Sequence, residues 1–247
     1  MIHVAITGKM GAGKSALANF INTEYLKGRG VISSFAEPIK DIYKNRELLA
    51  DFMISFNDID GKSVKSSLLE YRPFMEQMKA FDTELATLPE GTKPRKHYQF
   101  IGQIVKGFYG ENIWAKKLFS DFKHFSEIQK SLKNNIGGLI IDDLRMDIEY
   151  KEILSSSDDF IIIGVEVPEH DRLSIVKQNK LGDETTINNI SEIEVDDIIS
   201  DLKAKYPKSY YEFESGRRIV INNPNNGLTK ERREILKLIL KSYDDIK

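Results

Sequence analysis

The chain has 247 residues with 36 Lys and Arg against 38 Asp and Glu, a formal charge of −2, which excludes binding to nucleic acid or to a membrane surface through bulk positive charge. Hydrophobic residues at 40% and aromatics at 10% supply one large core or two modest ones, and the lack of cysteine excludes disulfides, thiolate metal sites and thiol nucleophiles. No run reaches the about 18 apolar residues of a membrane span, and the apolar stretch at 2–6 is too short for a signal sequence, so the expectation is a folded cytoplasmic chain with no membrane or nucleic-acid partner.

Ile2, Val4 and Ile6 lead into Thr7 and Gly8, which reads as a buried strand ending at a turn. A helix follows with Leu17, Phe20, Ile21 and Tyr25 on one face, spaced i, i+3, i+4 and i+8, and Gly28 placed to stop it. Further strands are predicted at 31–35, 138–142, 160–167 and 218–222, each apolar and partly β-branched. Strands alternating with helices predict an α/β chain with a parallel sheet of about five strands. Between the second and third strands, about a hundred residues read mainly as helix, a block too long for a simple crossover. Tyr98, Ile101, Val105 and Phe108, then Trp114, Leu118, Phe122 and Phe125, carry the helical spacing. The expected division is a core of residues 1–50 and 134–247 and a helical insert at 51–133, with 88–94 as a loop inside it.

Charge is uneven along the chain. Residues 93–133 carry nine Lys or Arg against three acids, whereas 182–202 carry seven acids and neither Lys nor Arg. The basic stretch reads either as a surface facing a small anion or as a solvated helix face balanced by acids elsewhere.

Gly8, Lys9, Met10, Gly11, Ala12, Gly13, Lys14 and Ser15 fit G-x-x-x-x-G-K-[ST], the phosphate-binding loop, between a predicted strand and a predicted helix. Glycines let such a loop bend around phosphates at a helix N-terminus, where the dipole favours negative charge. Lys14 is expected to reach the β and γ phosphates of a nucleotide, and the Ser15 hydroxyl to help hold Mg²⁺. Leu139, Ile140, Ile141, Asp142 and Asp143 read as a second strand ending in acids, where either aspartate can orient Mg²⁺ or cap the helix that starts near Met146. Arg145 follows at the carboxyl edge of the sheet, where ligands bind, and offers a fork for phosphate.

Several further segments, in order along the chain, resemble one family: the deoxynucleoside monophosphate kinases of tailed bacteriophages, within the P-loop nucleoside monophosphate kinases. Phe35, Ala36, Glu37, Pro38, Ile39 and Lys40 look like that family's F-A-[DE]-P-[LI]-K. Arg95 with Gln99, Phe100, Ile101 and Gly102, then Asn112, Ile113 and Trp114, look like its R-x-x-x-Q-x-[LI]-G and N-I-W segments. Asp143, Leu144, Arg145 and Glu149 resemble its D-[VL]-R-x-x-x-E, Ser191 and Glu192 a later S-E, and Val220, Ile221, Asn222 and Asn223 its final strand. Departures fall at Gln103, Asn189 and Ala16 and bear on selectivity.

The resemblance implies a three-layer P-loop kinase fold with a helical acceptor-binding insert and a lid at about 168–205. It implies transfer of the γ-phosphate of ATP to a deoxynucleoside 5′-monophosphate, with ATP and Mg²⁺ required and the host cytoplasm as location if the chain is viral. ATP would be held by Gly8, Gly11, Ala12, Gly13, Lys14, Ser15 and Ala16, and Mg²⁺ by Ser15 and Asp142. Lys14, Asp143, Arg145 and Arg172 would act on the transferring phosphoryl group. Glu37, Lys40, Arg95, Lys96, Gln99, Gly102, Gln103, Trp114, Asp143, Arg145 and Glu149 would bind the monophosphate, with Gln99 and Gly102 on one helix side and Trp114 either stacking on the base or anchoring the core. A kinase for another small acceptor, of the dephospho-coenzyme A type, and a nucleotide-dependent switch are the alternatives, and a homodimer is compatible with the sequence.

Overall fold

The computed structural model describes residues 1–45, 71–87, 94–156, 160–178, 190–222 and 230–243. The chain packs as two compact units, one of residues 1–35 with 124–247 and one of residues 36–123.

The first unit is built on six strands: β1 (His3–Gly8), β2 (Gly30–Ser33), β3 (Gly138–Leu144), β4 (Phe160–Glu166), β5 (Tyr210–Glu212) and β6 (Arg218–Ile221), in the spatial order β2-β3-β1-β4-β6-β5. β1 runs parallel to β3 and β4, and β2 parallel to β3. The central strands are buried along most of their length, as strands covered on both faces are. On one face Val4, Ile6, Ile161, Ile163 and Val165 meet Leu17 and Ala18 of α1 (Lys14–Phe20) and Ile235, Leu236 and Ile239 of α9 (Lys230–Ser242). On the other, Gly164 lies so close to Val220 and Ile199 that a Cβ there would stand 2.8 and 3.3 Å from them. Ile199 belongs to α8 (Ile190–Lys205), whose Val195, Ile198 and Leu202 are also buried. Helices therefore cover both faces of a mixed α/β sheet.

Two details of the sheet differ from the sequence expectation. β6 runs antiparallel to β4, and β5, too short to register as a strand, pairs antiparallel with β6 at the edge. The cause is a hairpin: Phe213 N–H donates to Arg217 O, Gly216 N–H to Phe213 O, and Gly216 takes φ +73°. A turn of that length reverses the chain, whereas a parallel partner needs a crossover of a dozen or more residues. Asn222 then extends the β4–β6 ladder, its side chain bonding Ile162 N–H at 2.7 Å and Phe160 O at 3.0 Å; Asn223 lies outside the described residues.

The helix after the loop follows its apolar face, with α1 passing into a π-helical turn at Ile21–Tyr25 and the chain leaving through Gly28 at φ +73°. The segment expected as a lid divides into α7 (Glu169–Gln178) and α8, with 179–189 outside the described residues. α8 packs on the core through Val195, Ile198, Ile199 and Leu202, which give it an apolar face at i, i+3, i+4 and i+7. Each such side chain, fully buried, favours the packed state by roughly 1.5–3 kcal/mol.

The second unit contains α2 (Glu37–Lys44), α3 (Tyr71–Leu85), α4 (Arg95–Tyr109) and the first turns of α5 (Ile113–Ser131). Its core joins Ile42, Phe74, Met78, Ile101, Val105, Tyr109, Ile113 and Trp114. α2, assigned by the sequence division to the core domain, packs here because Ile42 is buried in this cluster; the unit accordingly begins at residue 36 and ends at 123. Residues 46–70, which hold most of the insert's first part, lie outside the described residues, as do 88–93 of the internal loop. Among the described residues, no helix is long and apolar enough to cross a membrane.

Candidate functional site

β1 delivers the chain to Gly8 at the carboxyl edge of the sheet, and the loop turns through Gly11 and Gly13, both at φ +84°, into α1. Left-handed backbone of this kind is accessible to glycine at little cost. At Gly11 space demands it too, because a Cβ would stand 2.9 Å from Val176 of α7. Lys14 opens α1 and folds back under the loop, its Nζ donating to Gly8 O at 2.5 Å and Lys9 O at 3.1 Å. Burial foremost, then the Arg145 charge, pulls its pKa from 10.5 down to about 7 against the opposing pull of Glu192, Asp143 and Asp142. An anion placed beside it would favour the ammonium form, which is what a phosphate site requires.

Ser15 Oγ donates to Asp142 Oδ2 at 2.6 Å, bringing together the two residues expected to hold Mg²⁺. Two exposed oxygen donors of this kind suit a hard cation that takes its other ligands from phosphates and water. Among the described residues, no cluster of three or more His, Asp or Glu converges on a metal, so a cation here would depend on the nucleotide for the rest of its shell. Asp143 is placed differently, with Oδ1 accepting Phe35 N–H at 2.8 Å, so this carboxylate secures the chain after β2. Neither aspartate caps the helix after β3. Glu149 does so, accepting the N–H groups of Arg145 and Met146, both at 3.0 Å, at the start of α6 (Asp147–Ser155). That contact lets Glu149 fix the backbone at the entry of Arg145.

Arg145 and Arg172 both come to the loop. Arg145 Nη1 donates to Glu192 Oε1 at 2.8 Å, and Arg172, 5% exposed on α7, donates through Nη1 to Met10 O at 3.3 Å. Glu192 is the residue that motif reading left without a role. It is 3% exposed in the first turn of α8, and its two carboxylate oxygens accept Met10 N–H at 3.0 and 3.3 Å. The signal for it was the acidic run at 182–202, several of whose acids face the site or its supports. Asp196 pairs with Lys9 of the loop at 2.7 Å, and Glu194 accepts Asp147 N–H at 2.7 Å. Ala12 is buried, and Ala16 follows Ser15 on the partly exposed face of α1.

The substrate residues expected in the second unit are placed by their own helices. Glu37 and Lys40 pair at 2.8 Å on α2. Lys96 pairs with Glu84 of α3. Arg95 opens α4, its side chain lying outside the described residues. Gln99 and Gln103 are exposed, but Gly102 between them is buried, with Ile39 3.6 Å from where its Cβ would be, so the amide and the glycine do not share an open face. Trp114 is 4% exposed in the unit's core and serves as its anchor; no ring face is presented for a base. Local pairing also takes up part of the basic run, as Lys106 meets Glu111 at 3.0 Å and Lys117 meets Asp121 at 2.6 Å. No family model, curated protein or solved structure matches this chain.

Proposed function

We propose that the chain is a P-loop kinase that transfers the γ-phosphate of ATP to a deoxynucleoside 5′-monophosphate, giving the diphosphate and ADP. The observation that carries the reading is the convergence on one loop of Lys14, the Ser15–Asp142 pair, Arg145 and Arg172. A nucleotide switch needs the loop and the metal pair; two guanidinium groups beside them suit a second phosphate and a transferring one.

In this reading an oxygen of the acceptor phosphate attacks the γ-phosphorus, the new P–O bond forms in line with the breaking bond to the β-phosphate oxygen, and ADP leaves with that electron pair. The acceptor oxygen is already anionic, so no strong base is required and the protein acts by position and charge. Lys14 holds the β and γ oxygens, Arg145 the acceptor phosphate, and Arg172 the charge that develops between them. Mg²⁺, held by Ser15 and Asp142, would neutralise negative charge on the β and γ oxygens. The helical unit is assigned the acceptor, through Arg95, Lys96, Gln99 and Gln103, on the resemblance.

The test is incubation of the purified chain with ATP, Mg²⁺ and, separately, dAMP, dGMP, dCMP, dTMP and dephospho-coenzyme A. ADP formation that depends on one or more of the monophosphates is the expected result. Turnover with dephospho-coenzyme A alone would move the assignment to that acceptor, and ATP hydrolysis indifferent to every acceptor would make the chain a switch.

A further inference from the structure

We infer that Glu192 is a positioning residue of the phosphate site, a buried carboxylate that locks Arg145, Arg172 and the Met10 segment of the loop into one frame. The inference rests on the reading of residues 8–15 as a nucleotide site and adds a residue to it.

An ionised carboxylate removed from water is costly unless its oxygens are hydrogen-bonded and a cation stands close. At Glu192, 3% exposed, both conditions are met by parts of the site. Oε1 takes the Arg145 guanidinium at 2.8 Å and Oε2 takes Met10 N–H at 3.0 Å. Arg172 Nη1 stands 3.9 Å from Oε2 while donating to Met10 O, so both backbone polar groups of Met10 are held from the same side. The first turn of a 16-residue helix adds its own favourable field for negative charge.

Three consequences follow for phosphate binding. The two arginines are long, flexible side chains, and fixing them before the ligand arrives removes their ordering cost from binding. A guanidinium has five N–H donors, so an edge directed at Glu192 leaves another to grip a phosphate. Arg145, Arg172 and Lys14 are also like charges in one small region, and the carboxylate among them is what allows them to stay together. Glu192 is enclosed by these partners and so acts on a ligand through them.

The experiment is a double-mutant cycle on ATP affinity, measured by calorimetry with Mg²⁺ for wild type, Glu192→Gln, Arg172→Ala and the double variant, alongside thermal unfolding of each. Gln keeps the shape of Glu and removes the charge. E192Q is expected to weaken ATP binding by about 10- to 100-fold while remaining folded at the temperature of the titration, and to add less than about 3-fold in the R172A background. Glu192→Asp, which keeps the charge, is expected to recover ATP binding to within about 5-fold of wild type, and it carries the test if E192Q fails to fold. Equal losses in both backgrounds, unchanged affinity in E192Q, or an E192D no better than E192Q would overturn the inference. A wild-type chain that binds ATP but phosphorylates no acceptor removes the kinase reading and leaves this cycle to be read, whereas a wild-type chain that binds no ATP overturns the inference itself.

Discussion

Lys14 is buried and donates to carbonyls of its own loop, an arrangement that suits a ligand better than it suits the fold. Lys14→Ala should therefore lower kcat by at least about 1,000-fold while leaving the unfolding midpoint within about 3 °C or raising it, because desolvation of the charge is relieved. Steady-state kinetics and a thermal melt check both halves; a variant with near wild-type turnover would remove the loop from the mechanism. Arg145→Ala should raise KM for the monophosphate about 10- to 100-fold and KM for ATP by less than about 3-fold, since Arg145 is assigned to the acceptor. A fall in ATP affinity instead would exchange the two assignments. Asp142→Asn should raise the Mg²⁺ concentration for half-maximal rate about 10-fold or more, read from a magnesium titration, because a neutral amide replaces the charged carboxylate. The residues of the loop were legible because G-x-x-x-x-G-K-[ST] is a local pattern carried by consecutive residues, 8–15. The role of Glu192 was not, because it meets Met10 from 182 residues away, and an acidic run or an S-E pair does not say which distant segment a carboxylate will touch.

Among the elements, α8 shows what packing adds to a charge count. Its acids alternate with Val195, Ile198, Ile199 and Leu202 at helical spacing, and that apolar face seats it on the sheet. The direction of β6 was illegible for another reason: an apolar run of four residues reads the same in either direction, and the hairpin that reverses it depends on β5, three residues long. α8 is also tied to α6 through Tyr150, whose hydroxyl donates to Asp201 Oδ2 at 2.8 Å, with Lys205 at 2.7 Å on the same oxygen. Burial would raise the Asp201 pKa, but the hydrogen bonds from Lys205 and Tyr150 prevail and hold it below its ordinary 3.8. Its contribution to stability is therefore present above pH ~4 and lost as pH falls through the lower folded value. Asp201→Asn should be less stable than wild type at pH 7 by under about 1 kcal/mol, because Asp201 is 37% exposed and solvent screens it. The gap should narrow at pH 3, as urea titrations at the two pH values would show; a gap constant with pH would deny the carboxylate this role.

For the whole molecule, the two units imply separable responses to ligands. ATP should slow hydrogen exchange in residues 8–15 and 190–196, which Glu192 and Asp196 tie to the loop, whereas a bound monophosphate should slow exchange in 95–109. Protection by the monophosphate confined to 8–15 would deprive the helical unit of its assignment. Around the loop, Arg145 and Arg172 face Asp142, Asp143 and Glu192, Lys9 faces Asp196, and Lys14 adds a positive charge that an arriving anion would complete, so cations and carboxylates are close to balance. A balanced cluster casts little field beyond its own walls. Capture of ATP should accordingly be insensitive to ionic strength, its association rate in stopped flow changing by less than about 3-fold between about 50 and 500 mM salt. On the proposed reading such a mouth would not concentrate polyanions, and the loop would stay open to mononucleotides even where nucleic acid is abundant.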